Sequence, residues 1–202
     1  MKVEFEDRII SFDKEENKLD ELAFRFSSIL SDLDISHVFV SGYVVILFGR
    51  NRTSEDIDLI CEEISYDKFK RFWEAIDDEF DCIITSDQED AYNGYLKDKL
   101  PLRFARKGEI IPNIELKFER TSMHRKALEE SLEVHVNDKR IPISPLEQQI
   151  AYKLFMRSEK DLEDARFLFK LFQEHLDTGE LLKYIEKLEV PLDEAKYYLG
   201  WS

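Results

Sequence analysis

The chain has 202 residues, 43% of them hydrophobic and 12% aromatic, enough apolar material to bury a core and to exclude disorder. Its formal net charge of −15 argues against a general nucleic-acid binder, because phosphate contacts need a basic face. No apolar run approaches 18 residues and Met1–Asp7 lacks the layout of a secretion signal, so a cytoplasmic setting with no membrane partner is expected.

In chain order, Met1 to Phe12 alternates weakly and predicts an edge strand or extended arm. Asp13 is placed to cap a helix from Lys14 to about Leu33, with Leu19, Leu22, Ala23, Phe26, Ile29 and Leu30 on one face. His37 to Val40 reads as a strand broken by Ser41-Gly42. Tyr43 to Phe48 is apolar throughout, and periodicity leaves helix and strand both open. Gly49 to Glu55 is a polar loop, and Ile57 to Cys61 a strand. Tyr66 to Phe80 carries Phe69, Phe72, Trp73 and Ile76 at helical spacing, a core stripe. Cys82 to Thr85 follows as a short strand, Ser86 to Gly94 as loop, and Leu102–Ala105 and Ile114–Phe118 as strands. Asn137-Asp138-Lys139 marks a hairpin between Leu132–Val136 and Arg140–Ile143. From Pro145 onward the pattern is helical. Ser144 is expected as N-cap, with Pro145 at the first helical position. Pro191 starts the last helix, and Tyr197, Tyr198 and Trp201 are expected to tuck against the core. Cys61 and Cys82 sit in no CxxC and read as reduced thiols, and the four histidines have no ligand spacing, so no zinc site is expected.

The most informative stretch runs from Ser41 to Ile60. Alternation in a strand points Asp56 and Asp58 to one side and Ile57 and Leu59 to the other. Two aspartates roughly 6–7 Å apart along a strand repel unless a positive charge lies between them. A divalent ion bound by hard oxygens, Mg²⁺, is one answer; an acidic outward face of an edge strand is the other. If Tyr43–Phe48 is a helix, Ser41-Gly42 opens it and offers free backbone N–H groups to an anion, with glycine permitting close approach. A phosphate cradle beside paired carboxylates is equipment for phosphoryl or nucleotidyl transfer.

On these residues the chain resembles the polymerase-β-like nucleotidyltransferase superfamily, in particular the small microbial branch of minimal and toxin–antitoxin nucleotidyltransferases. There a Gly-Gly or Gly-Ser turn opens a helix, and a loop of the form Gly-Arg-x-Arg-x-Thr-x-Asp-Ile-Asp-Leu follows. Gly49, Arg50, Arg52, Ser54, Asp56, Ile57, Asp58 and Leu59 match that loop, with Ser54 where threonine is commoner. The turn departs from the pattern: Ser41-Gly42 reverses the order. The resemblance implies an α/β (α+β) fold, a mixed β-sheet core at about residues 1–143 with flanking helices, and a helical subdomain over 144–202. It also implies a third carboxylate on a neighbouring strand. Glu115 holds that place in Ile114-Glu115-Leu116-Lys117-Phe118, or else is a surface glutamate paired with Lys117 or a nearby arginine. A softer resemblance covers Ser144–Leu154 and Arg157–Ala165, helices that in the toxin–antitoxin branch close the cleft. It makes Lys153 a candidate phosphate contact, while Lys160, Asp161 and Asp164 read equally as an inter-helix ion-pair set or a substrate surface.

The expected activity is transfer of a nucleoside monophosphate from an NTP, ATP by preference, to an acceptor hydroxyl on an RNA end, a protein or a small molecule, with pyrophosphate released. Asp56, Asp58 and Glu115 would hold Mg²⁺ and carry the catalysis; Ser41, Gly42, Arg52, Ser54 and Lys153 would bind the nucleotide. Two alternatives stand beside it: a nucleotide- or partner-binding module without turnover, such as a toxin–antitoxin component, and a scaffold whose acidic surface binds a basic partner. The basic stretch Lys97–Lys107 is either a solvated hairpin face or a contact for a polyanionic substrate.

Overall fold

The computed structural model describes residues 3–201. A nine-stranded mixed sheet runs through it in the order β1-β2-β8-β9-β3-β4-β7-β6-β5. Its strands are β1 (Glu4–Glu6), β2 (Ile9–Phe12), β3 (His37–Phe39), β4 (Asp56–Cys61), β5 (Phe80–Cys82), β6 (Leu102–Arg106), β7 (Asn113–Phe118), β8 (Leu132–Val136) and β9 (Lys139–Ile143). β4 is central and pairs antiparallel with β3 and parallel with β7. β3 and β9 are joined by one parallel register pair, Phe39 with Ile143.

The strands place the core by alternation. On β4, Ile57, Leu59 and Cys61 enter the large apolar cluster shared with Phe26, Phe39, Phe72 and Phe104. Ile60 turns the other way and packs with Val38 of β3 and Ala127. Asp56 and Asp58 have the parity of Ile60, so they lie on the side that α5 (Ser122–Glu129) covers further along β4. They are only half-exposed there, while Ile57 and Leu59 are fully buried. Burying each of those two side chains stabilises the fold by roughly 1.5–3 kcal/mol, which locks the parity.

Helix α1 spans Lys18–Asp32, four residues later than the sequence predicts. Asn17, not Asp13, caps it: its side chain accepts from the Leu19 and Asp20 amides at 2.9 and 3.0 Å, and the Asn17 amide donates to Asp20 at 2.9 Å. A closed capping box outcompetes a lone aspartate. Asp20 also accepts from the Tyr43 hydroxyl at 3.1 Å and pairs with Lys14 at 2.8 Å, tying the helix start to α2 (Gly42–Leu47). The open choice at Tyr43–Phe48 is thereby settled as helix. α3 (Tyr66–Ile76) buries the expected stripe through Phe69, Phe72 and Ile76, with Trp73 half-buried at its edge.

Several sequence-based expectations are corrected between Phe80 and Glu129. Ser86–Gly94 is not loop: Asp87 caps a short helix α4 (Gln88–Asp90) that runs into a π-helical segment, Ala91–Leu96, anchored by the Tyr92 hydroxyl on the Ile64 carbonyl at 2.8 Å. Helix α5 was not foreseen at all, because Ala127 is its one buried residue and no apolar stripe announces it; Thr121 caps it. The short strand expected at Cys82–Thr85 lies earlier, as β5.

The last four helices are α6 (Leu146–Met156), α7 (Glu159–Phe172), α8 (Thr178–Lys187) and α9 (Leu192–Leu199), and they pack on one another. Ser144 is not the α6 cap. Its amide donates to the Phe39 carbonyl at 3.1 Å, continuing the strand pairing, and Pro145 takes the cap position. Trp201 packs against Phe169 at 5.4 Å with the rings tilted, as expected, but Tyr197 and Tyr198 are 80 and 36% exposed rather than tucked in. Among the described residues no helix is long and apolar enough to cross a membrane.

Candidate active site

The parallel β4–β7 register sets Asp56 opposite Asn113 and Asp58 opposite Glu115. Partners at one register position point to the same side, so Glu115 shares the face of the two aspartates. Lys117, two residues on, lies between them: its ammonium donates to Asp58 at 2.9 Å and to Glu115 at 3.2 Å. Arg103 of β6 holds the other Glu115 oxygen at 2.8 Å. Burial opposes the Lys117 charge, but Asp58 and Glu115 outweigh it and raise that lysine above its usual range. Burial likewise works against ionised Glu115, and Lys117 with Arg103 overcomes it and lowers the carboxyl. Ser54 donates to Asp56 at 3.2 Å.

These contacts decide how an ion would fit. Among the described residues no three His, Cys, Asp or Glu side chains form a metal-holding group. Asp56 and Asp58 supply two hard oxygen donors, which is enough for Mg²⁺ when phosphate oxygens and water complete its octahedron. Glu115 is on the right face, but its charge is compensated by Lys117 and Arg103.

The turn between β3 and α2 abuts this face. The amide of Val40 donates to the Asp58 carbonyl at 3.1 Å, and the next residue is Ser41. Ser41 stands at φ 64°, ψ −133°, a glycine-favouring corner equivalent to the first central residue of a type II′ turn. Its reversed order against the family pattern therefore has a conformational cost. A Cβ at Gly42 would meet the Arg52 Nη2 at 2.7 Å, so any larger residue there would displace that guanidinium. Arg52 thus lies directly on the turn. The Ser41 amide donates to Gln149 Oε1 of α6 at 3.1 Å.

Behind the turn the polar loop and the trailing helices meet in a cluster of buried charge. Asp164 of α7, fully buried, accepts from Arg52 at 2.5 Å, from Lys153 at 2.6 Å and from Arg50. Arg50 also pairs with Glu163, and Asp161 lies 3.6 Å from Lys153. Burial pushes the Lys153 ammonium down to about 8, against the pull of Asp161 and with Arg52 and Arg50 adding to the push. Burial and the adjacent Arg50 charge also lower Arg52, while Asp161 and Asp56 draw it up. So Arg52 answers to both halves of the site.

No family model matches the sequence, and no curated protein matches it either. Solved structures do. The chain is similar to an antigenic nucleotidyltransferase-like protein from Paracoccidioides brasiliensis at 14% identity, with a TM-score of 0.57 over 91% of this chain and 92% of that one. It is also similar to JHP933 from Helicobacter pylori at 21% identity, with a TM-score of 0.50 over 88% of this chain and 75% of that one. The chain has a nucleotidyltransferase-like fold.

Within that fold the structure gathers the sequence-predicted residues in two sets. Asp56, Asp58, Glu115 and Ser54 line the β4–β7 face, Arg52 lies on the Ser41-Gly42 turn, and Lys153 sits behind it, joined to Arg52 through Asp164. The pairing of Glu115 with Lys117 or a nearby arginine, the alternative open in the sequence, is present, the arginine being Arg103; the reach of Lys117 to Asp58 and the place of Gln149 on the turn go beyond what the sequence predicts. Gln149 had a signal, lying four residues before Lys153 and so on the same helix face. The basic stretch is mostly paired, Lys97 with Glu63, Arg103 with Glu115 and Arg106 with Glu79, which favours its solvated reading.

Proposed function

We propose that the protein is a Mg²⁺-dependent nucleotidyltransferase that moves a nucleoside monophosphate from ATP or another NTP to an acceptor hydroxyl, on an RNA end, a protein or a small molecule, and releases pyrophosphate. The observation that carries this reading is the Val40–Asp58 backbone bond, which sets the Ser41-Gly42 turn against the aspartate face of β4. It supports a reaction centre with phosphate donors on one side and carboxylates on the other.

Asp56 and Asp58 would hold the ion. When bound, the metal supplies charge stabilisation for the attacking and leaving oxygens of an in-line displacement. The chain's own groups do the rest. Ser41 and Gly42 receive the β- and γ-phosphates, with Ser54 orienting Asp56. Arg52 and Lys153 neutralise the charge that builds on pyrophosphate as it leaves, an interaction stronger in the transition state than in the ground state. Glu115, on the acceptor side of Asp58, takes the proton of the attacking hydroxyl. For that, Lys117 and Arg103 must loosen their hold on it. The helices after Ile143 form the subdomain that brings Lys153 and Gln149 to the cleft.

A second reading, a nucleotide-binding module without turnover, is favoured by one specific contact, the Lys117 ammonium seated between Asp58 and Glu115. Calorimetry with Mg²⁺–ATP on the parent and on Asp56→Asn/Asp58→Asn tests both. The double variant is expected to keep its fold, since two like charges are removed from one strand face, and to lose Mg²⁺-dependent affinity. Unchanged affinity sinks the metal site. Binding without pyrophosphate release across a panel of acceptors selects the second reading.

A further inference from the structure

Gln149 lies on α6, 4% exposed, and its carboxamide is fixed in one orientation. The Ser41 amide donates to Oε1 at 3.1 Å, and flipping the group would set two donors against each other. The Nε2 that this orientation leaves over is buried and has no hydrogen-bond partner. Buried donors are seldom left unmet, because each forfeits its hydration without return. A second unmet donor lies across the same turn: Arg52 Nε is also buried without a partner, and its guanidinium rests on Gly42. Lys153 follows Gln149 by one helical turn, on the same face.

Two orphaned donors at a strained turn, with the buried Lys153 ammonium one helical turn further along α6, form a site suited to an anion with several oxygens. We propose that Gln149 is a phosphate-binding residue: its Nε2 donates to a non-bridging oxygen of the nucleotide triphosphate at the Ser41-Gly42 turn, once Arg52 lifts from Gly42 to meet the same group. This rests on the nucleotide-binding reading above and adds to it a residue with two tasks. Oε1 holds the Ser41 turn in its strained conformation, and Nε2 receives the ligand.

The two tasks can be separated. Gln149→Glu keeps an acceptor for the Ser41 amide and removes the donor. Its melting temperature is expected to hold at the parent's level while affinity for inorganic tripolyphosphate and Mg²⁺–ATP, read by calorimetry on the full chain, falls roughly tenfold or more, the scale of one hydrogen bond to a charged group. Tyr152→Glu, three residues along α6 at an exposed position, controls for the added charge and is expected to lose less than about threefold. Equal losses in the two variants would assign the effect to charge and overturn the proposal. If Gln149→Glu does not fold, the neutral Gln149→Met decides in a Ser41→Gly background, where the turn needs no holding: affinity within about twofold of Ser41→Gly alone overturns the proposal, and a tenfold loss supports it. A parent that binds neither probe overturns the nucleotide reading itself, an outcome distinct from a parent that binds and a Gln149 variant that binds equally well.

Discussion

Asp164 is the buried anion on which α6, α7 and the polar loop converge, and its removal should cost several kcal/mol, far more than loss of an exposed ion pair. Its side chain is fully buried; those of Lys153, Arg52 and Arg50 are 3, 11 and 16% exposed. Asp164→Ala leaves three cations crowded together with Asp161 and Glu163 as remaining counter-charges. Breaking a buried pair by deleting one partner costs about 3–5 kcal/mol, since the other charge stays desolvated. Against a total stability of about 5–15 kcal/mol the variant should fold but be marginal. At about 2–4 °C per kcal/mol for a chain of this size, the melting temperature should fall by roughly 6–20 °C. Urea unfolding followed by tryptophan fluorescence gives the free energy directly. Glu79→Ala is the comparison: Glu79 is also held by two arginines, at 2.8 Å by Arg25 and 3.0 Å by Arg106, but is 32% exposed. It should cost about 0–1 kcal/mol. Combining Asp164→Ala with Lys153→Met should restore part of the loss by removing the most buried orphaned cation. An Asp164→Ala loss no larger than that of Glu79→Ala would refute the claim that this cluster binds the subdomain to the core.

Other outcomes follow from single residues. Ser41→Gly should stabilise the protein by about 1 kcal/mol, since the strain of a non-glycine residue in this region, about 1–3 kcal/mol, exceeds the unfolded-state freedom that glycine adds; a lower urea midpoint would contradict the assigned conformation. Lys153 titrates at about 8 in the folded chain against an ordinary 10.5, so between those values only the unfolded state holds its proton, and stability should rise with pH there. Over the same rise through pH 8 the folded protein loses a phosphate-binding charge, so tripolyphosphate affinity should drop, and should stay level in Lys153→Arg; a parallel drop in that variant would acquit Lys153. His37 is buried between the Ser27 hydroxyl at 2.7 Å and the Ile35 carbonyl at 2.8 Å, and burial lowers its pKa below 6.5. Its contribution is therefore present above 6.5 and lost as pH falls through the folded value, and His37→Gln should flatten the acid side of a pH series of urea midpoints.

Much of the carboxylate face of the candidate site was legible because it depends on parity. Once Ile57 and Leu59 are committed to the core, Asp56 and Asp58 must share the other side, and the same rule orients Glu115 through Ile114 and Leu116. Signals that rest on buried periodicity also read well: the α1 and α3 stripes, the β8–β9 hairpin and the helical tail. Signals that rest on local polar chemistry read poorly. Asn17 displaced Asp13 as a cap because its box closes with Asp20, and Asp20 is buried by Tyr43, a residue 23 positions away. Helix α5 has one buried side chain and so no stripe to read.

The sequence by itself determined the alternating strands, the paired aspartates and the small-residue turn that opens α2, because each follows from a period of two or a missing Cβ within a few residues. What these groups touch was decided only by the tertiary structure. Lys117 could bridge Asp58 and Glu115 only after β4 and β7 paired in parallel register across a gap of more than 50 residues. Arg50, Arg52, Lys153 and Asp164 joined only when α6 and α7 closed over the loop after α2. Charged side chains are long, flexible and indifferent to local spacing. Their partners are set by which surfaces the core brings together, and burial then fixes the choice by making an unpaired charge too costly to keep.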